Sequence, residues 1–211
     1  SRSVSDVKKA AAGTSAKVER IENDIKFNYV VLGIIGVAIA TFAITYFIFQ
    51  TYLWVAITVA IVMTILAFFF AAVSGYLVGI IGSSNNPVSG LTLTALVITA
   101  LILVILGIDS GDSGVAAVLG VAAIVCVSAA VAGEMLQDLK SGHILGGTPW
   151  KMEVGNIIGV VASGAVMFFI LTILNDGDIA RGAVEGYKGG FGSAELPAPQ
   201  ASLMAILSRG I

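Results

Sequence analysis

Two long apolar runs, Leu53 to Ile81 and Leu91 to Gly107, are joined only by Gly82-Ser83-Ser84-Asn85-Asn86-Pro87-Val88-Ser89-Gly90, and no charged residue lies near that junction. Each run is long enough, alone or with its flank, to cross a bilayer, since ~20 apolar residues of helix span ~30 Å of hydrocarbon. Hydrocarbon satisfies no free backbone or amide group, so the polar knot belongs either in a headgroup region or inside protein around a water-filled cavity. In the first setting it is a tight interfacial turn, because Asn, Ser and Pro are common turn formers. In the second it is a site.

The local grammar predicts a helix that starts at the knot. Asn86 is a preferred N-cap, and Pro87 suits the first helical position, where its missing N–H would be unpaired anyway. The positive end of that helix then faces Ser83 to Asn86, an arrangement by which half-helices hold anionic groups such as a peptide carboxylate near the membrane midplane.

Hydrophobic residues make up 57% of the chain and charged residues 11%, against roughly 25% charge in a soluble domain. With mean hydropathy +1.00, this is an all-α, polytopic integral membrane protein, a bundle of about five transmembrane helices with a C-terminal re-entrant or truncated segment. The few charges are segregated into loops, so no basic surface for nucleic acid exists. Cys126 is the only cysteine and lies within an apolar run, which excludes an intrachain disulfide.

Residues 1–26 mix basic and acidic side chains and are expected to form a polar cytoplasmic arm, a short surface helix or loop. Residues 27–211 form the membrane domain. The spans are predicted near 27–49, 53–81, 88–107, 115–133 and 154–174. The short Gln50-Thr51 join makes the first two an antiparallel hairpin. The second exceeds the minimum length and is expected to tilt, or to break near Ser74-Gly75. Asp109-Ser110-Gly111-Asp112-Ser113-Gly114 reads as a solvated loop, too poor in oxygen ligands for a cation cage. The fourth span is rich in Ala, Val and Gly and should be buried among other helices.

Directly after it comes Glu134-Met135-Leu136-Gln137-Asp138-Leu139-Lys140-Ser141-Gly142. A continuing helix places Glu134, Gln137, Asp138 and Ser141 on one face, with Gly142 able to stop it. Such carboxylates bind and release a proton where poor solvation raises their pKa, or hold a substrate ammonium; the plain alternative is a helix end whose charges meet water. His143, the only histidine, reads as an interfacial residue, and one His with one Cys makes no zinc site. No metal site or cofactor is expected.

Gly147-Thr148-Pro149 repeats the earlier grammar, with Thr148 as N-cap. Gly155, Gly159, Ser163 and Gly164 in the fifth span form a small-residue face suited to helix packing. Asn175 to Glu195, glycine-rich and mixed in charge, is expected to be a loop. Basic residues concentrate in the arm and in 134–153, which places those segments and the knot in the cytoplasm and the acidic loop and 175–195 tail outside. The chain lacks an initial methionine and stops as a new apolar stretch opens, and is expected to be a piece of a longer polypeptide.

Three motifs in order, Ser84-Asn85-Asn86-Pro87-Val88-Ser89-Gly90, Gly133-Glu134-Met135-Leu136-Gln137-Asp138-Leu139-Lys140-Ser141-Gly142 with Gly147-Thr148-Pro149, and Leu196-Pro197-Ala198-Pro199-Gln200-Ala201, resemble the oligopeptide transporter (OPT) family, including its yellow-stripe-like metal-chelate carriers. Members of that family are much longer, so the resemblance implies part of a carrier whose remaining half lies elsewhere. It implies secondary active uptake of small peptides or peptide-like metal chelates in a lipid bilayer, usually proton-coupled, expected at the plasma membrane. On these motifs the substrate-binding residues are Ser84, Asn85, Asn86, Pro87, Ser89 and Gln137, and the proton-coupling residues are Glu134 and Asp138. Where the family often has Gly-Asp, this chain has Gly133-Glu134, a carboxylate on a longer arm.

Two other classes remain: a membrane-embedded enzyme and a structural or channel-forming bundle. The spans hold no paired aspartates, His cluster or Ser/His pair of the kind an embedded enzyme needs, so no enzymatic activity is expected. A channel would conduct without saturation or coupling.

Overall fold

The computed structural model describes residues 20–48, 52–107 and 112–210. Most of the expected arm (1–19), the Gln50-Thr51 join and Asp109, Ser110 and Gly111 of the acidic loop lie outside the described residues. Every regular element described is helical: α1 (Phe27–Ala43), extended by a π-helical segment Ile44–Ile48, α2 (Leu53–Ile81), α3 (Val88–Ile105), α4 (Asp112–Ile144), α5 (Pro149–Glu185) and α6 (Pro199–Gly210). Five helices, α1 to α5, are long and apolar enough to cross a membrane.

The core lies where α2, α3 and α4 meet. Val55, Val59, Met63 and Phe70 of α2 pack against Ala95, Leu96, Ala100 and Leu103 of α3 and Ala117, Val118, Val121, Ala122 and Val125 of α4. The three-and-four spacing of these residues is the stripe a helix must present to a partner. Small residues bring α4 close, as its composition predicts. Thr92 and Thr99, both buried, return their hydroxyls to the carbonyls of Val88 and Ala95 at 2.7 Å. That internal pairing removes the penalty of an orphan hydroxyl in an apolar core.

Helix α2 does not break at Ser74-Gly75; it runs unbroken from Leu53 to Ile81. Gly75 instead makes room for α4, since a Cβ there would sit 2.7 Å from Leu136 Cδ1. Helix α4 continues through the expected stop at Gly142 to Ile144, and Gly146 takes the left-handed conformation (φ 76°). Within the helix Gly142 leaves room for Met152 at the turn into α5, which a Cβ would displace.

Helix α5 has 37 residues, about 55 Å at 1.5 Å per residue, well beyond the ~30 Å of hydrocarbon. The helix continues past the predicted apolar stretch 154–174 by about one turn at its start and three at its end. The expected loop from Asn175 onward is therefore helical as far as Glu185, ending on Gly186 in the left-handed region (φ 82°). Glycine content misled the local prediction. Gly182 is required inside the helix because a Cβ there would meet the Tyr187 carbonyl at 2.6 Å, and Arg181 pairs with Glu185 one turn on at 2.9 Å. Beyond the helix, Ser193 Oγ (2.8 Å), Gly190 N–H (2.7 Å) and Tyr187 Oη (2.8 Å) all donate to Asp178. Those donors, Ser193 foremost, hold the Asp178 carboxyl below its usual range.

Among the described residues the small-residue face of α5 meets nothing: open space surrounds Gly155, Gly159 and Gly164. The expected packing there is not made among the described residues. After the Pro-bounded turn, α6 returns to α3 and α4 and lays Met204 and Leu207 on the core.

Candidate functional site

The knot sits where α2 ends beside the middle of α4. Gly82, with φ 83°, terminates α2, and Ser83–Asn85 form a single 3-10 turn that abuts both α2 and α4. Helix α3 starts one residue later than the spacing predicts: Pro87 is the cap and Val88 the first helical residue. Asn86 does not cap it. Its side chain turns inward instead, toward Ser74 and α4.

Ser74 is fully buried. Its hydroxyl lies 2.5 Å from the Ala129 carbonyl and 3.0 Å from Asn86 Oδ1, and Asn86 Nδ2 donates to the same Ala129 carbonyl at 3.4 Å. The single Ser74 proton serves one acceptor at a time, and the shorter contact identifies Ala129 as its main partner. Asn86 is thus a polar bolt across α2, the knot and α4. Gly133 makes the slot for it: a Cβ there would stand 2.6 Å from Asn86 Nδ2, 2.8 Å from Val78 Cγ2 and 3.2 Å from Ser74 Oγ. Neither Ser74 nor Gly133 stands out in the sequence as a partner of Asn86: Ser74 lies 12 residues before it inside an apolar helix, and Gly133 lies beyond the whole of α3.

The other predicted residues are arranged around this bolt on the accessible side. Ser84, Asn85, Pro87 and Ser89 are exposed. Asn85 Nδ2 donates to the Ile81 carbonyl at 3.1 Å, closing the last turn of α2. On α4, Glu134 follows Gly133 directly, and Glu134, Gln137 and Asp138 are all exposed. Ser141 Oγ donates to the Gln137 carbonyl at 3.0 Å. Asn86 therefore reaches α4 beside Glu134. Among the described residues no hydrogen bond links Ser84, Asn85 or Ser89 to Gln137 or Asp138.

A crevice of about 1010 Å³ opens elsewhere, between α1, α2, α4 and α5. Its walls are apolar, with Thr64 and Ser128 partway along and Asn23, Asp24, Lys26 and Trp150 where α1 and α5 begin. None of the predicted substrate or proton residues lines it. No cluster of His, Cys, Asp and Glu suited to a metal ion occurs among the described residues.

The family model of the OPT oligopeptide transporter protein matches residues 2–211. The chain belongs to the OPT family. It is 35% identical over 173 residues to a Haemophilus influenzae protein named "Putative oligopeptide transporter", an alignment that covers 74% of this chain and 26% of that protein. The chain thus spans about a quarter of the length of that curated relative. No solved structure matches it. Family membership and five apolar helices of spanning length make this OPT protein an integral membrane protein.

Proposed function

We propose that this OPT chain is part of a secondary active transporter that carries oligopeptides or peptide-like metal chelates across the plasma membrane, coupled to protons. The observation that carries the proposal is the family match over residues 2–211, on a fold that bolts the uncharged polar turn to α4 at Ala129, in a slot made by Gly133, the residue before Glu134. In this proposal Ser84, Asn85, Asn86, Pro87, Ser89 and Gln137 form the substrate face and Glu134 and Asp138 exchange the protons. Asn86, already bonded on both sides, sets the turn; Ser84 and Asn85 have exposed polar groups with which to meet a peptide backbone. The remaining length of the transporter supplies the facing wall.

The test is uptake by the full-length protein in proteoliposomes. An imposed proton gradient, acid outside the lumen, should drive accumulation of a labelled tetrapeptide, and a protonophore should abolish it. Accumulation that ignores the gradient would remove the proton coupling. No saturable peptide or chelate flux at all would remove the transport assignment.

A further inference from the structure

The segment before α1 is strapped across the turn between α4 and α5. Arg20 Nη2 donates to the Gly146 carbonyl at 2.7 Å. From the other side, the Trp150 amide, one of the first N–H groups of α5 and without a partner in its own helix, donates to the Asn23 carbonyl at 3.2 Å. Between these bonds the strap brings Asp24, whose Oδ1 accepts from the Ile25 amide at 2.7 Å, against Glu153. Glu153 lies in the first turn of α5, ahead of the spanning stretch, beside the interfacial Trp150 and Lys151.

Glu153 Oε2 is buried and has no hydrogen-bond partner. Two carboxylates are acceptors only, so neither satisfies the other until one is protonated. A proton on the pair supplies the missing donor. Among the described residues no ion pair to Asp24 or Glu153 is formed. Arg20 is committed to Gly146, Lys151 Nζ stands over the Trp150 ring at 5.7 Å, and the ion pairs among the described residues are both made by Arg181. Other charged or titratable groups on the elements packed here are Glu22 and Lys26 on the strap, Tyr29 of α1, which lines the crevice with Asp24, and Lys140 and His143 at the end of α4.

We propose that Asp24 and Glu153 share a proton and act as a pH-operated latch, holding the strap 20–26 on the α4–α5 turn where it borders the crevice. Protonated, the pair is a carboxyl–carboxylate hydrogen bond and the strap is held. Deprotonated, a buried unpaired oxygen faces a like charge and the strap is released. Burial, then the neighbouring Asp24, pushes the Glu153 carboxyl up from 4.5 to about 7. A carboxyl that binds its proton more tightly in the latched state favours that state fully below about 4.5, and the preference is lost as pH rises through about 7. The latch does not depend on what the transporter carries, and its test reads no transport.

The experiment places spin labels at Ile21→Cys and Leu145→Cys, in a Cys126→Ser background of the full-length protein in nanodiscs, and measures their separation from about pH 5 to about pH 8. The ratio of released to latched populations should rise at least about tenfold over that range, the equivalent of one unit of differential proton affinity. Glu153→Gln and Asp24→Asn, each of which installs a permanent amide donor in the pair, should hold the short distance at every pH. A separation that is independent of pH in the unsubstituted protein overturns the latch, as does the same pH dependence in both variants. Infrared titration of the unsubstituted protein, compared with either variant that folds, gives a second check: a Glu153 carboxyl that ionises in the ordinary glutamate range overturns it.

Discussion

Replacing Gly133 by valine should unseat Asn86 and force α4 away from α2, and it should be among the most damaging single substitutions in the chain. The added Cβ alone would lie 2.6 Å from Asn86 Nδ2 and 2.8 Å from Val78 Cγ2. Neither neighbour has room to retreat, since Asn86 is bonded to Ala129 and Val78 is buried. Overpacking of this kind costs about 1–3 kcal/mol even where the structure partly relaxes. Deleting the Ser74 hydroxyl is a smaller change, because interhelical hydrogen bonds in membranes average about 0.6 kcal/mol. Thermal unfolding in detergent should therefore rank Gly133→Val well below Ser74→Ala, with the unsubstituted protein highest. If Gly133→Val melts with the unsubstituted protein, α4 does not approach the knot closely enough to exclude a side chain at Gly133.

Glu134→Gln together with Asp138→Asn should remove the gradient-driven component of uptake entirely while leaving counterflow of labelled against unlabelled peptide. A glutamine or asparagine keeps the shape and the hydrogen-bonding capacity of the acid but carries no titratable proton. Both acids are exposed on the same face of α4, one turn apart, with Glu134 next to the residue that touches Asn86. The assignment predicts that at least one single substitution uncouples and that the pair certainly does. Gradient-driven uptake that survives in both single variants and in the pair places proton coupling elsewhere in the transporter.

The helices were legible because long uncharged runs leave a chain in lipid little choice but helix, and five of those described are long and apolar enough to cross a membrane; α4 and α5 run on past the predicted 133 and 174 to Ile144 and Glu185. The motif order was equally legible, and the family match agrees with the resemblance it suggested. Local chemistry failed where tertiary contact decides. Asn86 has the residue type of an N-cap, yet its amide is drawn to Ser74 and Ala129 because Gly133 opens a slot on a distant helix. The glycines after Asn175 suggested a loop, but the returning segment packs on that helix and leaves no room for a side chain at Gly182. Nothing in the sequence singles out Glu153. Its relation to Asp24 joins the two ends of a strap that no spacing in the sequence reveals.

The account depends on the polar turn lining a passage that water and substrate both reach, and cysteine accessibility at that turn tests this directly. In a Cys126→Ser background of the full-length transporter, Asn85→Cys should react with a membrane-impermeant maleimide, and a saturating transported peptide should slow that reaction. Labelling unchanged by a peptide that is still transported, or reaction only with lipid-soluble reagents, would place the turn among headgroups or lipid and contradict the site.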